Sequence, residues 1–551
     1  MKYRIKQYLL AASMCVGLTA CSDFFEPIPG VQFGLDETFA SKQRTEEYLN
    51  NVYSYVREVT DAIHPNTYGG IFTEASLDGA NRWNKTYAEW TNGSFNSASA
   101  QASEYFSKYY QAIAKASTFI QNVDKCTEAA ASTRGKWKSE ARALRAYYYF
   151  ELLRLYGPIP LIGEDPIPLD ASLEELIKER NSVDECVNFI ATELQSAIDS
   201  GDLLQRAGKA NLGRMDVATC MALKAKLYLY WASPLFNGNT DQASVKNKDG
   251  KQLFPQTEDN SKWTQARDAY ERFMTFATGQ GYKLTEVYTN GKLDPYASCR
   301  AAGEFFTTTW EAVDELIFVK LRDLYDYTYW VCPKFTDFQD TDVTGGGGYY
   351  TTQETVDLFF TKDGLTIEED PGYDKFEGIP SANNFTSGRY YDPNNPSRLY
   401  FDADKSKVLK QWKDREPRFY VNITYSGSIW LNEGKYNEEM RTDFTNGANG
   451  TCGKSKASGD CPDSGYLIRR GAKASNNNGS KHFSPVLRLA DMYLGYAEAL
   501  CMCSDLDNAL TYLNKIRVRA GIPEYTFTAT AGKITCPKTQ TDLLNRIRRE
   551  R

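Results

Sequence analysis

Hydrophobic residues recur at helical spacing over much of the first half of this 551-residue chain and again near its end. In one long segment, which ends at a Gly157-Pro158 pair, they fall every three or four positions: Trp137, Ala141, Leu144, Tyr148, Leu152 and Leu155. That spacing places them on one face of a helix, so the charges of Glu140, Arg142 and Glu151 are expected mostly on its other faces. We therefore predict a helix whose rings pack into a core.

The same periodicity predicts several further helices. Helical segments are expected over Ala40–Val56, Glu104–Val123, Leu173–Ile198, Asp216–Phe236 and Trp263–Phe276, from near Val486 onward, and over Asp507–Ala520. Paired helices of this kind are typical of tetratricopeptide-type hairpins, although no strict repeat of about 34 residues is present. We predict a mainly α fold in which such hairpins form a scaffold over about residues 40–280 and 485–551.

The chain between about residues 280 and 480 has a different composition. It is rich in Gly, Asn, Asp, Pro and Tyr, and its short strand-like runs include Leu316–Lys320 and Tyr420–Tyr425. Loops of this extent in a compact protein usually carry function. We predict that residues 21–551 form a single domain, in which this region is a large, irregular ligand face with a few short strands.

The first twenty residues have the pattern of a cleaved export signal. Lys2, Arg4 and Lys6 precede an apolar stretch of about ten residues, which is too short to span a bilayer. The stretch ends in Leu18-Thr19-Ala20-Cys21, which is typical of a lipobox. We predict a lipoprotein signal peptide over residues 1–20 and lipidation of Cys21, with a plain secretory signal and a chance cysteine as the alternative.

Composition and charge exclude several classes of protein. With 42% hydrophobic and 25% charged residues, the chain is neither intrinsically disordered nor a polytopic membrane protein. Its 71 acidic and 64 basic residues give a net charge of −7, which argues against nucleic acid as a partner. Only two histidines are present and no CxxC pair occurs, so we expect no metal ion and no other cofactor.

Several local sequence runs resemble known functional motifs but lack features that those motifs require. The Gly345–Gly348 run lacks the Lys-Ser/Thr of a phosphate-binding loop, so a flexible loop is expected. The run that starts at Asp402 begins like a calcium loop but has Lys407 where the sharp turn needs glycine. His482 precedes Ser484, but no nucleophile-elbow motif is present. None of these motifs therefore nominates a catalytic or metal site.

The cysteines divide into two groups. Most of them lie singly in helical patterns, where a buried thiol acts as a small apolar residue. Cys452 and Cys461 differ, because they bracket a polar, Gly-containing stretch. We predict a disulfide between these two residues in an oxidising compartment.

Aromatic residues are concentrated in two loop segments, where they alternate with polar and charged residues. Flat rings cover the apolar C–H face of a sugar, while polar side chains bond its hydroxyls, so both segments are candidate glycan-binding sites. The alternative is that the rings pack the loops onto the helical body. The candidate ligand-binding residues are Trp83, Asn84, Tyr87 and Trp90 in the first segment and Tyr327, Tyr329 and Trp330 in the second.

Seven features occur in order along nearly the whole mature chain. They are Cys21 with its acidic tether, EARALRAYYYFELLRLYGPIPLI, GRMDVATCMALKAKLYLYWASPLF, TTQETVDLFFTKDG, REPRFYVNITYSGSIW, PVLRLADMYLGYAEAL and ALTYLNKIRVRAGIP. Together they resemble the SusD/RagB family. In that family the chain normally continues beyond a run resembling LLNRIRRER, so we expect the sequence to be part of a longer chain.

The resemblance implies an α-helical fold with four tetratricopeptide-like hairpins, in a surface-exposed outer-membrane lipoprotein that captures nutrients, usually oligosaccharides. It also implies a partner, a SusC-like TonB-dependent transporter, and it implies no catalysis. A surface glycoside hydrolase on a helical fold and a helical scaffold that binds only protein are the alternatives from other functional classes. Family members differ most in these loops, so the sequence leaves the glycan open, and a peptide ligand is also compatible with the family.

Overall fold

Helices dominate the chain before residue 304 and after residue 488. The structure is a computed structural model, and it describes residues 34–56, 79–81, 93–164, 167, 171–303, 314–322, 330–335, 345–376, 378–431, 441–444, 452, 460–472 and 482–551. The helices are α1 Leu35–Ala40, α2 Lys42–Ser54, α3 Ala100–Asn122, α4 Ala131–Tyr156, α5 Leu173–Leu176, α6 Val183–Asp199, α7 Val217–Ala232, α8 Ser261–Gly279, α9 Pro295–Gly303, α10 Gln353–Leu358, α11 Pro417–Asn422, α12 Leu489–Met502, α13 Leu506–Ala520 and α14 Gln540–Glu550.

The longer helices form a row in which each packs against the next. Helix α3 packs on α4, α4 on α6, α6 on α7, α7 on α8, α8 on α12, and α12 on both α13 and α14. One continuous hydrophobic core runs through this row, from Phe39 to Ile547. The predicted fold class, a mainly α protein with a scaffold of tetratricopeptide-like hairpins, is therefore confirmed.

Local sequence explains where several helices begin and end. The Ser182 hydroxyl accepts a bond from the Glu185 N–H at the start of α6, and the Glu185 carboxylate accepts one in return from the Ser182 N–H at 2.7 Å. At the start of α7, the Asp216 carboxylate accepts a bond from the Thr219 N–H at 2.7 Å. Helix α13 ends at Gly521, whose φ of +75° is the left-handed conformation that favours glycine.

Some predicted boundaries were wrong. The segment Leu173–Ile198 is interrupted, because the capping residue Ser182 starts a new helix after the single turn of α5. Val486 does not begin a helix but lies in a strand that leads into α12. Only the last three residues of the strand-like run Tyr420–Tyr425 form a strand, since α11 extends to Asn422.

The charges of α4 are placed differently from the prediction. Glu140 and Glu151 are each 2% exposed, and Arg145 is 0% exposed, so the middle of α4 is buried on every face. The charges are tolerated because they are paired: the carboxylate of Glu140 lies 2.8 Å from the guanidinium of Arg214. The rings of Trp137 and Tyr148 are buried, as predicted.

The region between α8 and α12 contains most of the strands, which are short. They are β1 Ala80–Asn81, β2 Tyr288–Thr289, β3 Lys292–Leu293, β4 Leu316–Arg322, β5 Tyr349–Tyr350, β6 Arg389–Asp392, β7 Asn395–Asp402, β8 Ile423–Tyr425, β9 Tyr466–Ile468, β10 His482–Arg488, β11 Tyr525–Thr526 and β12 Ile534–Thr535. The predicted strand at Leu316–Lys320 is confirmed as part of β4, which pairs antiparallel with β10. This pair ties the loop-rich region to the scaffold, because β10 continues directly into α12.

Candidate functional site

Three strands of the loop-rich region form a four-stranded antiparallel sheet together with β1, in the strand order β1-β5-β9-β8. Its outer strand β1 comes from the first quarter of the chain and pairs with β5, so that Ala80 lies opposite Tyr350 and Asn81 opposite Tyr349. Tyr350 in turn lies opposite Leu467 of β9. The sheet therefore joins segments that are far apart in sequence.

The glycine run before β5 is hydrogen-bonded along the segment that contains Trp330. The N–H groups of Gly345, Gly347 and Gly348 donate to the carbonyl oxygens of Pro333, Cys332 and Trp330 at 3.0, 3.0 and 3.2 Å, respectively. All four glycines of the run are buried. The prediction of a flexible loop is therefore wrong, because these backbone groups are paired and shielded from water.

A close backbone approach explains why glycine is required in this run. Gly347 has a φ of +56°, and a Cβ atom there would lie 3.0 Å from the carbonyl oxygen of Asp460 and 3.2 Å from the backbone nitrogen of Lys334. The side chains of those two residues also form an ion pair, with 2.5 Å between Nζ and Oδ2. Together these contacts hold residues 330–335, 345–350 and 460–468 as one unit, which we call the platform.

Trp330 is the first residue of the platform. It is half-buried and packs against a buried group of side chains, the ring cluster, which consists of Val331, Cys332, Phe335, Tyr349, Trp430, Leu431, Cys452 and Ala472. Trp430 is 1% exposed, and the guanidinium of Arg469 lies 5.5 Å from its ring centre. Burial lowers the pKa of Arg469, since desolvation disfavours the charged form. Phe335 and Trp430 are thus packing residues, whereas part of Trp330 reaches solvent.

Most of the predicted ligand-binding residues lie outside the described part of the chain. They are Trp83, Asn84, Tyr87, Trp90, Tyr327 and Tyr329. Cys21, the predicted lipidation site, also lies outside it. Two described residues next to these segments lie near one another: β1 ends at Asn81, two residues before Trp83, and pairs with β5, and the N–H of Gly348, just before β5, donates to the carbonyl oxygen of Trp330.

A polar cluster that the sequence did not predict lies between two hairpins. The guanidinium of Arg398 bonds the carboxylates of Asp294 and Asp392 at 2.8 and 2.6 Å and lies 4.3 Å from the ring centre of Tyr296. Burial acts to raise the pKa of Asp294, but the bonds from Arg398 and from the Ala297 N–H outweigh it and lower this pKa. The cluster connects the β2–β3 and β6–β7 hairpins, and no sequence motif marks it.

The disulfide predicted between Cys452 and Cys461 stays a prediction. Both residues are buried. Cys452 belongs to the ring cluster, and Cys461 follows Asp460, whose carboxylate is held by Lys334.

The remaining motifs of the sequence have structural roles. Asp402 accepts a bond from the Arg389 guanidinium at 3.1 Å within the β6–β7 hairpin, and His482 lies opposite Arg322 where β10 pairs with β4. Among the described residues, no group of three or more His, Cys, Asp or Glu side chains is arranged to hold a metal ion. No helix in the described ranges has the length and apolar character needed to cross a bilayer.

Comparisons with known proteins identify relatives over most of the chain. A model of the SusD family matches residues 315–551, and a model described as starch-binding associating with outer membrane matches residues 32–229. A curated relative, a SusD-like protein of Bacteroides ovatus, is 27% identical over 175 residues, which are 30% of this chain and 30% of the relative. The match thus spans less than a third of that relative's length.

Solved structures share the architecture over nearly the whole chain. A protein named BT4246 has a TM-score of 0.72 and 24% identity, and the alignment covers 92% of this chain and 86% of that one. A SusD-like carbohydrate binding protein (BF0978) from Bacteroides fragilis has a TM-score of 0.62 and 18% identity, with coverages of 93% and 83%. At such identities the likeness shows the fold alone.

Proposed function

This chain belongs to the SusD/RagB family, and from that premise we propose that it is a cell-surface lipoprotein that captures oligosaccharide and delivers it to a SusC-like transporter of the outer membrane. The proposed binding site is the platform with the two aromatic segments beside it. The proposed role is binding without catalysis. The family model described as starch-binding associating with outer membrane, which matches residues 32–229, supports this choice of ligand class.

The single observation that carries the proposal is that the sheet brings Asn81, which precedes the first aromatic segment, close to Trp330 in the second. Asn81 pairs with Tyr349, and the next residue toward the N-terminus, Gly348, bonds Trp330. Trp83 follows Asn81 by only two residues, and two residues of chain span at most about 7 Å. Asn81 and Trp330 are more than 200 residues apart in sequence, by their numbering, and their closeness supports a single site to which both segments contribute.

The chemistry of the platform suits a sugar. A half-buried indole such as that of Trp330 offers a flat apolar face while its other side is fixed by packing, so little conformational entropy is lost on binding. Polar side chains beside the rings, such as Asn84 in the first segment, would bond hydroxyl groups. We propose Trp83, Asn84, Tyr87, Trp90, Tyr327, Tyr329 and Trp330 as the ligand-contacting residues.

The test of this site is the affinity of single-ring variants for soluble polysaccharides. We expect Trp83→Ala and Trp330→Ala each to weaken binding by about 1–3 kcal/mol, roughly ten- to a hundredfold, as for other anchor residues. Affinity gel electrophoresis against starch, arabinoxylan, pectin, yeast mannan and mucin glycans would find a ligand, and calorimetry would measure the loss. Trp330→Phe should retain part of the affinity, because it keeps a flat ring on the ring cluster.

Two control variants distinguish loss of a ligand contact from loss of any exposed ring and from unfolding. Tyr288→Ala removes a ring that is 60% exposed but lies on β2, which pairs with β3 in a different sheet from that of the platform, and should leave affinity unchanged. Trp137→Ala should instead destabilise the fold by about 3–5 kcal/mol through core loss. Normal binding by both platform variants, or loss of binding only through unfolding, would disprove the site. Turnover of a bound polysaccharide would favour the hydrolase instead.

The proposed anchor has its own test. We propose that Cys21 is lipidated and holds the protein at the outer membrane, beside the transporter. Several acyl chains on one cysteine give stable anchoring, so Cys21→Ala should release the protein into the soluble periplasmic fraction. Cell fractionation in a strain without the SusC-like partner checks this, and a variant that still sediments with outer membranes there would contradict the anchor.

A further inference from the structure

Five arginines are buried in the described part of the chain, each with an exposed fraction of 7% or less: Arg145, Arg415, Arg469, Arg517 and Arg519. Three of them pair with buried carboxylates at 2.5 to 3.0 Å. Arg415 instead donates to backbone carbonyl oxygens, those of Val356 and Phe359, both at 2.8 Å. A buried charge needs such partners, because removing an unpaired charge from water is costly. Arg469 is the exception.

No described residue hydrogen-bonds or neutralises the Arg469 guanidinium. Its Nε is buried without a hydrogen-bond partner, and no described carboxylate forms an ion pair with it. The Trp430 ring centre lies 5.5 Å from the guanidinium, but a ring face offsets only part of the cost of a buried cation. Burial lowers the pKa of Arg469, and the positive charge of Arg300 lowers it further, although nearby tyrosines act to raise it. The described side chains therefore leave this cation uncompensated.

The sheet fixes the position of Arg469. The residue directly follows Ile468, which is the last residue of β9 and of the platform, and Ile468 lies opposite Ile423 of β8. The N–H of Arg469 itself donates to the carbonyl oxygen of Asn422 at 2.7 Å. At 7% exposure the residue is not completely enclosed, as a site for an external group requires. The guanidinium is thus held at the edge of the proposed glycan surface.

An anion fits this position better than a water molecule does. Two buried hydroxyl groups of β8, those of Thr424 and Tyr425, also lack partners among the described residues, but they are neutral, so ordered water satisfies them. Water cannot neutralise a guanidinium, whereas an anion can. The planar fork of guanidinium N–H groups matches the two oxygens of a carboxylate.

We propose that Arg469 binds a carboxylate supplied by the ligand, and that the glycan captured at the platform is an acidic oligosaccharide that contains uronic acid. This inference rests on the proposed function. The whole chain has a net charge of −7, so it does not attract polyanions in general. Recognition should therefore depend on this single guanidinium, in a site where little water weakens its attraction for a carboxylate.

Arg469→Met tests the unpaired charge without any ligand. Methionine keeps an unbranched apolar side chain but removes the charge, so the ligand-free variant should melt at the wild-type temperature or above it. Arg145→Met is the matched control and should melt at a lower temperature, because it leaves the Glu193 carboxylate without its main partner. A fall in Arg469→Met as large as that in Arg145→Met would show that the guanidinium has a partner within the chain, and it would overturn the proposal.

Calorimetry with matched glycans tests the ligand. Oligosaccharides of polygalacturonate, alginate and hyaluronan are each compared with their carboxyl-reduced, neutral counterparts at constant ionic strength. We expect at least one acidic form to bind the wild type about 10- to 100-fold more tightly than its neutral counterpart, and Arg469→Met to abolish this preference. Trp330→Ala should weaken both forms alike. The absence of an acidic preference in all three pairs would overturn the proposal.

The results distinguish failure of this inference from failure of the proposed function. If neutral and acidic forms bind equally and Trp330→Ala weakens both, Arg469 has no role in recognition, and the glycan site stands. If Arg469→Met abolishes an acidic preference but Trp330→Ala changes neither affinity, the carboxylate site stands, and the platform is contradicted. Sodium acetate tests a free carboxylate as the source. If acetate raises the melting temperature of the wild type, but not of Arg469→Met, as much as the acidic oligosaccharides do, the assignment of an acidic glycan is overturned.

Discussion

Helix α4 and the platform bury their aromatic rings by different means. In α4 the rings are positioned by one regular helix, which packs on its neighbours α3 and α6 along the row. On the platform, Trp330 and Tyr349 are positioned by a few backbone hydrogen bonds between segments that are distant in sequence. We therefore expect the scaffold to unfold as one cooperative unit and the platform to open without unfolding the scaffold.

A buried ion pair joins helices of the scaffold. The guanidinium of Arg145, which is 0% exposed, bonds the Glu193 carboxylate through Nε at 2.8 Å and through a terminal nitrogen at 2.5 Å. It also donates to the Ser117 hydroxyl at 3.0 Å. Arg145 lies on α4, Glu193 on α6 and Ser117 on α3, so one side chain joins three helices of the row.

The largest expected effect comes from breaking this pair. Arg145→Met leaves the buried Glu193 carboxylate short of its main partner, which should lower the free energy of unfolding by about 3–5 kcal/mol. Urea denaturation followed by circular dichroism measures the loss.

The double variant Arg145→Met/Glu193→Leu is the control for this prediction. It removes both buried charges and should recover most of the stability, because Arg142, the other partner of Glu193, is partly exposed and can turn to solvent. If Arg145→Met alone lowers the free energy of unfolding by less than about 1 kcal/mol, the scaffold does not depend on this ion pair.

A smaller and local effect is expected on the platform. Gly347→Ala would put a Cβ atom 3.0 Å from the Asp460 carbonyl oxygen at a positive φ, which should cost about 2 kcal/mol. The cost should appear as local opening, with amide exchange of Gly345 and Gly348 about 10- to 100-fold faster and exchange in α4 unchanged. Hydrogen exchange measured by mass spectrometry or NMR distinguishes the two regions.

A matched glycine in the scaffold sharpens this comparison. Gly201 follows α6 with a φ of +73°, but no atom lies within 4 Å of the position that a Cβ would occupy. Gly201→Ala should therefore show only the conformational cost, about 1 kcal/mol. If the two substitutions cost the same free energy, the close approach at Gly347 is unimportant. If amide exchange in α4 also becomes faster in Gly347→Ala, the platform is not a separate unit.

Sequence reasoning predicted the scaffold well because helical contacts are local. The stripe from Trp137 to Leu155 and the stop at Gly521 can be read from neighbours along the chain. It failed on the burial of Glu140, since whether a helix is covered on a second side depends on where other helices pack. The partner of a charged residue such as Arg145 is likewise set by the row as a whole.

The candidate site was less predictable for a related reason. The aromatic content of the two segments marked them as unusual, but nothing in the sequence indicates that Ala80 pairs with Tyr350. A two-residue strand has no periodicity to detect. The glycine run was misjudged because its hydrogen bonds go to a segment with no recognisable motif. The Arg398 cluster was missed because Arg398 and Asp294 are 104 positions apart in the chain.

The pairing of β1 with β5 has a consequence for the order of folding. Its two strands are separated by about half of the chain, so forming it requires closure of a very long loop, whereas the helical hairpins need only nearby residues. The hairpins should therefore assemble first, and the sheet should close last, on a scaffold that already exists. In a refolding experiment, far-ultraviolet circular dichroism should recover ahead of the polysaccharide binding that we propose, so the chain would be compact before its proposed site was complete.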